Sequence, residues 1–148
     1  MIYFDNVTKV YGKDAVALEN VNLAVEVGEF VFLVGASGSG KSTLVRLLLK
    51  EIEPSAGAIY VNGTRLSSVP RRRIPHLRRS IGCVFQDFKL LPNKTAAENV
   101  AYAMEVTGQR RRTIRTKVPQ ILDLVGLSAK MDKFPEMLSG GEQQRVSI

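Results

Sequence analysis

Tryptophan is absent from the 148 residues, and cysteine and histidine occur once each, as Cys83 and His76. A lone thiol cannot close an intrachain disulfide, so the fold must be held by its core, and a reducing compartment is the simplest setting. Cys83 lies in the apolar segment Ile81–Phe85, where a buried structural thiol is expected. Long hydrophobic runs are missing too. None exceeds five residues, Phe30–Val34 among them, whereas a membrane-spanning helix needs roughly 20. The first ten residues lack the basic start and apolar stretch of a secretory leader. Acid is scarce, with 14 acidic residues against 21 basic ones and a net charge of +7. What is present is an ordinary soluble balance, 45% apolar and 24% charged, which excludes a largely disordered chain. The length suits one domain with one core.

The basic excess is local. Arg71, Arg72, Arg73, Arg78 and Arg79 form one cluster, and Arg110, Arg111, Arg112, Arg115 and Lys117 form another. Such clusters are solvated helix faces or meet polyanions, either nucleic acid or lipid headgroups. Neither is interleaved with aromatic residues, which argues against a single-strand nucleic-acid surface.

Hydrophobic periodicity then lays out the elements. Ile2, Phe4, Val7 and Val10 alternate with polar residues as in a half-buried strand, and Asn20–Val27 alternates again. Glu29–Val34 and Ser80–Phe85 read as fully buried parallel strands. A helix is expected over Lys41–Glu53, apolar on most sides, ending before Pro54–Gly57. Asn62-Gly63 predicts a tight hairpin between Ala58–Val61 and Thr64–Leu66. A basic helix is expected within Pro70–Arg79. Thr95 with Glu98, and Ser139 with Glu142, have the spacing of capping boxes, opening helices that run to about Val106 and through Ile148. A third helix is expected over Arg111–Val125, with Pro119 a point for a kink. The pattern predicts an α/β domain with a helical insertion.

The most informative run is Gly35-Ala36-Ser37-Gly38-Ser39-Gly40-Lys41-Ser42, which satisfies G-x-x-x-x-G-K-[ST] at every fixed position, followed by Thr43. Glycines let the backbone turn its N–H groups inward as an anion nest, and the helix that follows points its positive end at the same place. Lys41 can reach the β and γ phosphates of a nucleoside triphosphate, and the Ser42 hydroxyl can ligate Mg²⁺. Leu138-Ser139-Gly140-Gly141-Glu142-Gln143-Gln144-Arg145 is the second signal. Glycines in a helix's first turn weaken it, and they are useful where something must approach that terminus closely.

With these residues in place, the chain resembles the ATP-binding-cassette (ABC) ATPases, whose signature reads LSGGQ; Glu142 stands where that pattern has Gln. The order Tyr11, Gly35–Ser42, Gln86, Ser139 is the family's order. The resemblance implies a P-loop NTPase fold with an antiparallel β subdomain (residues 1–86 with the P-loop core), a helical subdomain (87–137) and the signature helix start (138–148). It implies that Tyr11 stacks on adenine, that Gln86 contacts Mg²⁺ and the attacking water, and that Ser139, Gly140 and Gly141 meet the ATP of a second subunit in a homodimer. The run Phe85–Thr95 with Glu98-Asn99-Val100, and Arg72–Arg79, is most similar to the family's cell-division branch. That branch implies a transmembrane, FtsX-like partner touching Phe88, Leu90 and Leu91, at the cytoplasmic face of a bacterial membrane, with no nucleic acid. ATPases of lipoprotein-export or macrolide-efflux transporters, and soluble ABC proteins acting on ribosomes or nucleic acid, stay open as alternatives, as does an unrelated P-loop kinase.

The family's next motif, an apolar strand ending in Asp-Glu, occurs nowhere in the 148 residues. His76 precedes Gln86 and so does not match the family's switch histidine. An N-terminal fragment of a longer ATPase is therefore expected, with an incomplete core. It should bind ATP and Mg²⁺ without efficient hydrolysis, because the general base is absent.

Overall fold

Phe4 and Val7 point to one face of the first strand, and both are completely buried. That strand, β1 (Ile2–Tyr11), pairs on one side with β2 (Ala15–Val25) and on the other with β3 (Ala56–Val61). With the short β4 (Thr64–Arg65), they form a four-stranded antiparallel sheet of order β2-β1-β3-β4. Phe4 lies opposite both Leu23 and Ile59, so one face of three strands contributes to one core. Two asparagines break the β1–β2 ladder by taking positive φ, Asn6 at 48° and Asn20 at 47°. Side chains make up the lost bonds. The Asn6 backbone N–H donates to Asn22 Oδ1 at 2.9 Å, and that of Asn20 to Thr8 Oγ1 at 3.0 Å. The β3–β4 turn is the expected Asn62-Gly63 pair, both at positive φ.

The computed structural model describes residues 1–148, which divide into two units, Met1–Ile81 and Gly82–Ile148. In the first unit, α1 (Lys41–Leu48) adds buried Leu44 and Leu47 to Phe4, Val7, Leu18, Ile59, Val61 and Leu66. The helix is five residues shorter than the expected span to Glu53. Its end is a Schellman motif: Lys50 takes φ 50°, its N–H donates to Leu47 O at 3.0 Å, and Glu51 N–H donates to Arg46 O at 2.9 Å. Lysine rather than glycine holds that position, which hides the stop from the sequence. The basic helix follows as a 3₁₀ turn, Arg71–Arg73, and α2 (Ile74–Arg79). Arg78 is not a free charge: its guanidinium donates to Leu49 O at 2.8 Å and Lys50 O at 3.2 Å, capping the end of α1.

The second unit is helical. Helices α3 (Ala96–Val106), α4 (Arg111–Leu124) and α5 (Gly140–Ser147) share a core of Ala96, Ile114, Val118, Leu122, Leu127, Leu138 and Val146. Ile114, Val118 and Leu122 recur every fourth residue as one stripe of α4, and the helix continues through Pro119, whose side is exposed. Asn99 is buried with both its amide oxygen and its amide nitrogen engaged. It accepts from Leu91 N–H at 2.7 Å and donates to the carbonyls of Leu91, Lys94 and Thr95, tying the preceding loop to α3.

Two expectations fail. Neither Glu29–Val34 nor Ser80–Phe85 is a strand, and neither is buried: Phe30 is 80% exposed, Val34 85% and Val84 52%. A parallel strand exists only by its ladder, and the four strands of this chain satisfy one another in a separate antiparallel sheet. Both segments remain without a ladder partner, and the exposed rings of Phe30 and Phe32 pack on each other, edge to face at 4.8 Å. Cys83 is accordingly half-exposed rather than a core thiol.

Candidate nucleotide-binding site

Residues Gly35–Gly40 connect the extended segment to α1, and Gly40 is the N-cap residue at φ 90°. No larger residue fits there: a Cβ on Gly40 would stand 2.5 Å from Ala17 O and 2.7 Å from Leu18 Cδ2. The loop is thereby pressed against β2 while its outer surface stays exposed. Gly38 also has positive φ. The backbone N–H groups of Gly38, Gly40, Lys41, Ser42 and Thr43 donate to no protein acceptor. Five unpaired donors at the positive end of a helix are the nest an anion requires.

Lys41 folds back over this loop. Its ammonium donates to Gly35 O at 2.7 Å, Ala36 O at 2.7 Å and Ser39 Oγ at 3.2 Å. A cation is thus held at the mouth of the nest, on carbonyls it can exchange for phosphate oxygens. Ser42 is exposed in the first turn of α1, and Ala36 and Ser37 are exposed in the loop. Thr43 is buried, and its hydroxyl lies 3.5 Å from Tyr11 Oη. The sequence offered no sign of this contact, since 32 residues separate the pair. It fixes the end of β1 beside the start of α1 and so places the Tyr11 ring near the phosphate nest. Lys9 Nζ sits 5.3 Å from the centre of that ring. The first unit therefore gathers Tyr11 and Gly35–Thr43 into one place.

Gln86, Ser139, Gly140 and Gly141 belong to the second unit. Gln86 is exposed in the turn after the unpaired Ser80–Phe85 segment. The next residues are strained: Phe88 and Lys89 both take positive φ, 57° and 52°. An Asp87–Lys89 ion pair of 2.5 Å closes this turn, and its hydrogen bond holds the Asp87 carboxyl below its ordinary pKa. Phe88, Leu90 and Leu91 line a groove of about 510 Å³ together with Tyr102, Ile121 and Ile148.

Ser139 caps α5, and its N–H donates to Glu142 Oε2 at 2.8 Å, the expected capping box. Glu142 also takes a 2.6 Å ion pair from Lys130. That bond, then the Ser139 N–H, lowers the Glu142 pKa from 4.5 to about 2. Gln143 donates to Pro135 O and Leu138 O, anchoring the approach to the helix. Gly140 and Gly141 stand in open space, with nothing within 4 Å of a Cβ on Gly140 and only the Arg145 guanidinium at 3.8 Å from one on Gly141. Neither has positive φ. The fold does not need these glycines, and their N–H groups have no protein acceptor.

Comparison with known proteins matches residues 18–148 to the family model described as ABC transporter. The cell division ATP-binding protein FtsE of Streptococcus pneumoniae serotype 2 is 49% identical over 148 residues, all of this chain and 64% of that protein. The methionine import ATP-binding protein MetN of Haemophilus influenzae is 42% identical over 151 residues, 44% of its length. Among solved structures, a dimeric post-hydrolysis state of an ATP-binding cassette bound to ADP and Pi superimposes with a TM-score of 0.89 at 35% identity. It matches 99% of this chain and 67% of that one. The chain thus spans just under two thirds of the length of its FtsE relative.

Proposed function

Because the chain belongs to the ABC transporter family, we propose that it binds MgATP at Gly35–Thr43 and acts as the ATP-binding part of an FtsE-like subunit. The observation that carries this reading is the Lys41 ammonium poised on Gly35 O and Ala36 O above five unpaired N–H donors. In this reading Lys41 leaves those carbonyls for the β and γ phosphates. The N–H groups of the loop wrap the β phosphate, and Tyr11 offers its ring to adenine. The Ser42 hydroxyl would hold Mg²⁺, and the family resemblance gives Gln86 the role of contacting Mg²⁺ and orienting the attacking water. Mg²⁺ supplies neutralisation of the phosphate charge when bound.

Ser139, Gly140 and Gly141 serve a second subunit's nucleotide. Their free N–H groups and exposed first turn suit a γ phosphate arriving from outside the chain, and the open space at Gly140 supports that use. The partner is a transmembrane, FtsX-like subunit, with Phe88, Leu90 and Leu91 in its docking groove, and the setting is cell division at the cytoplasmic membrane face. Identity to FtsE exceeds that to MetN, which favours this branch over import. No helix of the chain is long and apolar enough to cross a membrane; in this reading the transmembrane partner holds the chain at the membrane.

Calorimetric titration with MgATP tests the site. Lys41→Ala should weaken binding at least about tenfold, the loss of one charge-assisted contact, with the fold preserved by circular dichroism. Unchanged affinity in the folded variant would remove the phosphate-loop reading.

A further inference from the structure

Helix α4 begins against electrostatic expectation. Arg110 is its N-cap, Arg111 and Arg112 open its first turn, Arg115 follows, and no acidic residue is present in that turn. Cations at a helix N-terminus oppose the macrodipole. The same chain builds α3 and α5 conventionally, each with a glutamate in a capping box. The arginines gain nothing in return from the fold. None of Arg110, Arg111, Arg112, Arg115 or Lys117 is in an ion pair, and none of their side chains donates to a protein acceptor. All are exposed, and no acidic residue occurs between Glu105 and Asp123. The other basic cluster differs, since Arg78 there caps α1.

Geometry gathers the charges. Arg111, Arg112 and Arg115 line one open depression together with Thr116. Ile114, Val118 and Leu122 anchor α4 in the core, while Arg110, Arg111, Arg112 and Arg115 stay exposed around its start.

We propose that Arg110, Arg111, Arg112 and Arg115 form a docking strip for the anionic phosphate headgroups of a bilayer. Guanidinium forks pair with phosphate oxygens in two-point contacts, and several cations on one surface patch each add to adsorption on an anionic leaflet. No aromatic ring stands among them to stack a base. The choice of a bilayer over a nucleic-acid duplex rests on the reading of this chain as part of a membrane complex. The strip would add a lipid contact of its own to the contact made through the partner.

Flotation of the 148-residue chain with vesicles tests this, comparing phosphatidylcholine alone with phosphatidylcholine containing phosphatidylglycerol. Neutral vesicles report any adsorption through the exposed Phe30–Val34 segment. The added binding to anionic vesicles reports the strip and should fall with salt. Replacing Arg111, Arg112 and Arg115 together by Gln should lower that added binding about a hundredfold. Replacing them by Lys should keep most of it, and replacing Arg71, Arg72 and Arg73 by Gln should lower it far less. An unaltered partition in the α4 Gln variant would overturn the proposal, as would equal losses in the two Gln variants. So would capture by duplex DNA under conditions where anionic vesicles bind nothing. MgATP affinity is measured on the same variants and should not change. Unchanged nucleotide affinity in Lys41→Ala, with the loss of anionic-vesicle binding in the α4 Gln variant still seen, would count against the nucleotide site alone.

Discussion

A methyl group on Gly40 would press to 2.5 Å from a backbone carbonyl oxygen, on a residue with φ 90°, whereas one on Gly140 would meet nothing within 4 Å. Gly40→Ala should therefore destabilise the first unit by about 2 kcal/mol or more, through left-handed strain and overpacking. Gly140→Ala should leave stability unchanged or raise it by up to about 1 kcal/mol, because alanine is the better helix former. Urea denaturation of both variants checks this, and equal losses would refute the claim that only Gly40 is needed by the fold. Tyr11 permits a similar separation. Tyr11→Phe removes only the contact to Thr43 and Tyr11→Trp retains a stacking face, so both should keep most MgATP affinity while Tyr11→Ala loses more. Equal loss in all three, read by calorimetry, would assign Tyr11 to folding. At this scale the site was legible where its logic is local: Gly35–Ser42 and Ser139–Gly141 announce themselves by spacing. Arg78 was not legible, because its acceptor on Leu49 lies 29 residues away and a guanidinium in a basic run looks the same whether it caps a helix or faces water.

Helix starts were readable for the same reason. Thr95 with Glu98 and Ser139 with Glu142 are three residues apart, and both boxes form as the spacing requires. The antiparallel strands were readable from alternation and the Asn62-Gly63 turn, but the two expected parallel strands were not borne out, since a run such as Phe30–Val34 has strand composition but becomes a strand only when a ladder partner exists. The α5 box carries a pH dependence. Glu142 has its pKa lowered from 4.5 to about 2 by the Lys130 bond and the Ser139 N–H. A depressed carboxylate contributes stability that is fully present above its unfolded pKa and is lost as pH falls through the folded value. The second unit should therefore weaken between about pH 4.5 and 2, with α5 loosening in that window. In Glu142→Gln the part of the acid sensitivity due to this group should vanish, leaving a smaller slope of unfolding free energy against pH. Parallel pH profiles for the two proteins would show that the box has no such role.

Two units with separate cores set what the whole chain can do. The phosphate nest needs only β1, β2 and α1, whose contacts lie within Met1–Ile81, so nucleotide binding should survive in these 148 residues. MgADP should slow amide exchange around Gly35–Leu44 and Tyr11. Turnover asks for more. A base must polarise water in line with the γ phosphate, and the residues present offer poor candidates: Asp87 is committed to Lys89 and Glu142 to Lys130. Ser139, in the proposed reading, meets the nucleotide of a second subunit. We therefore expect the 148-residue chain to bind MgATP yet release phosphate at close to the uncatalysed rate. An FtsE relative of full length, assayed alongside, should turn over, and should lose activity on replacement of its signature serine by arginine while each monomer still binds nucleotide. Phosphate release is the measurement in every case. Turnover by this chain comparable to that of the longer relative would show that the residues carrying the chemistry lie within these 148, and that the assignment of their roles is wrong.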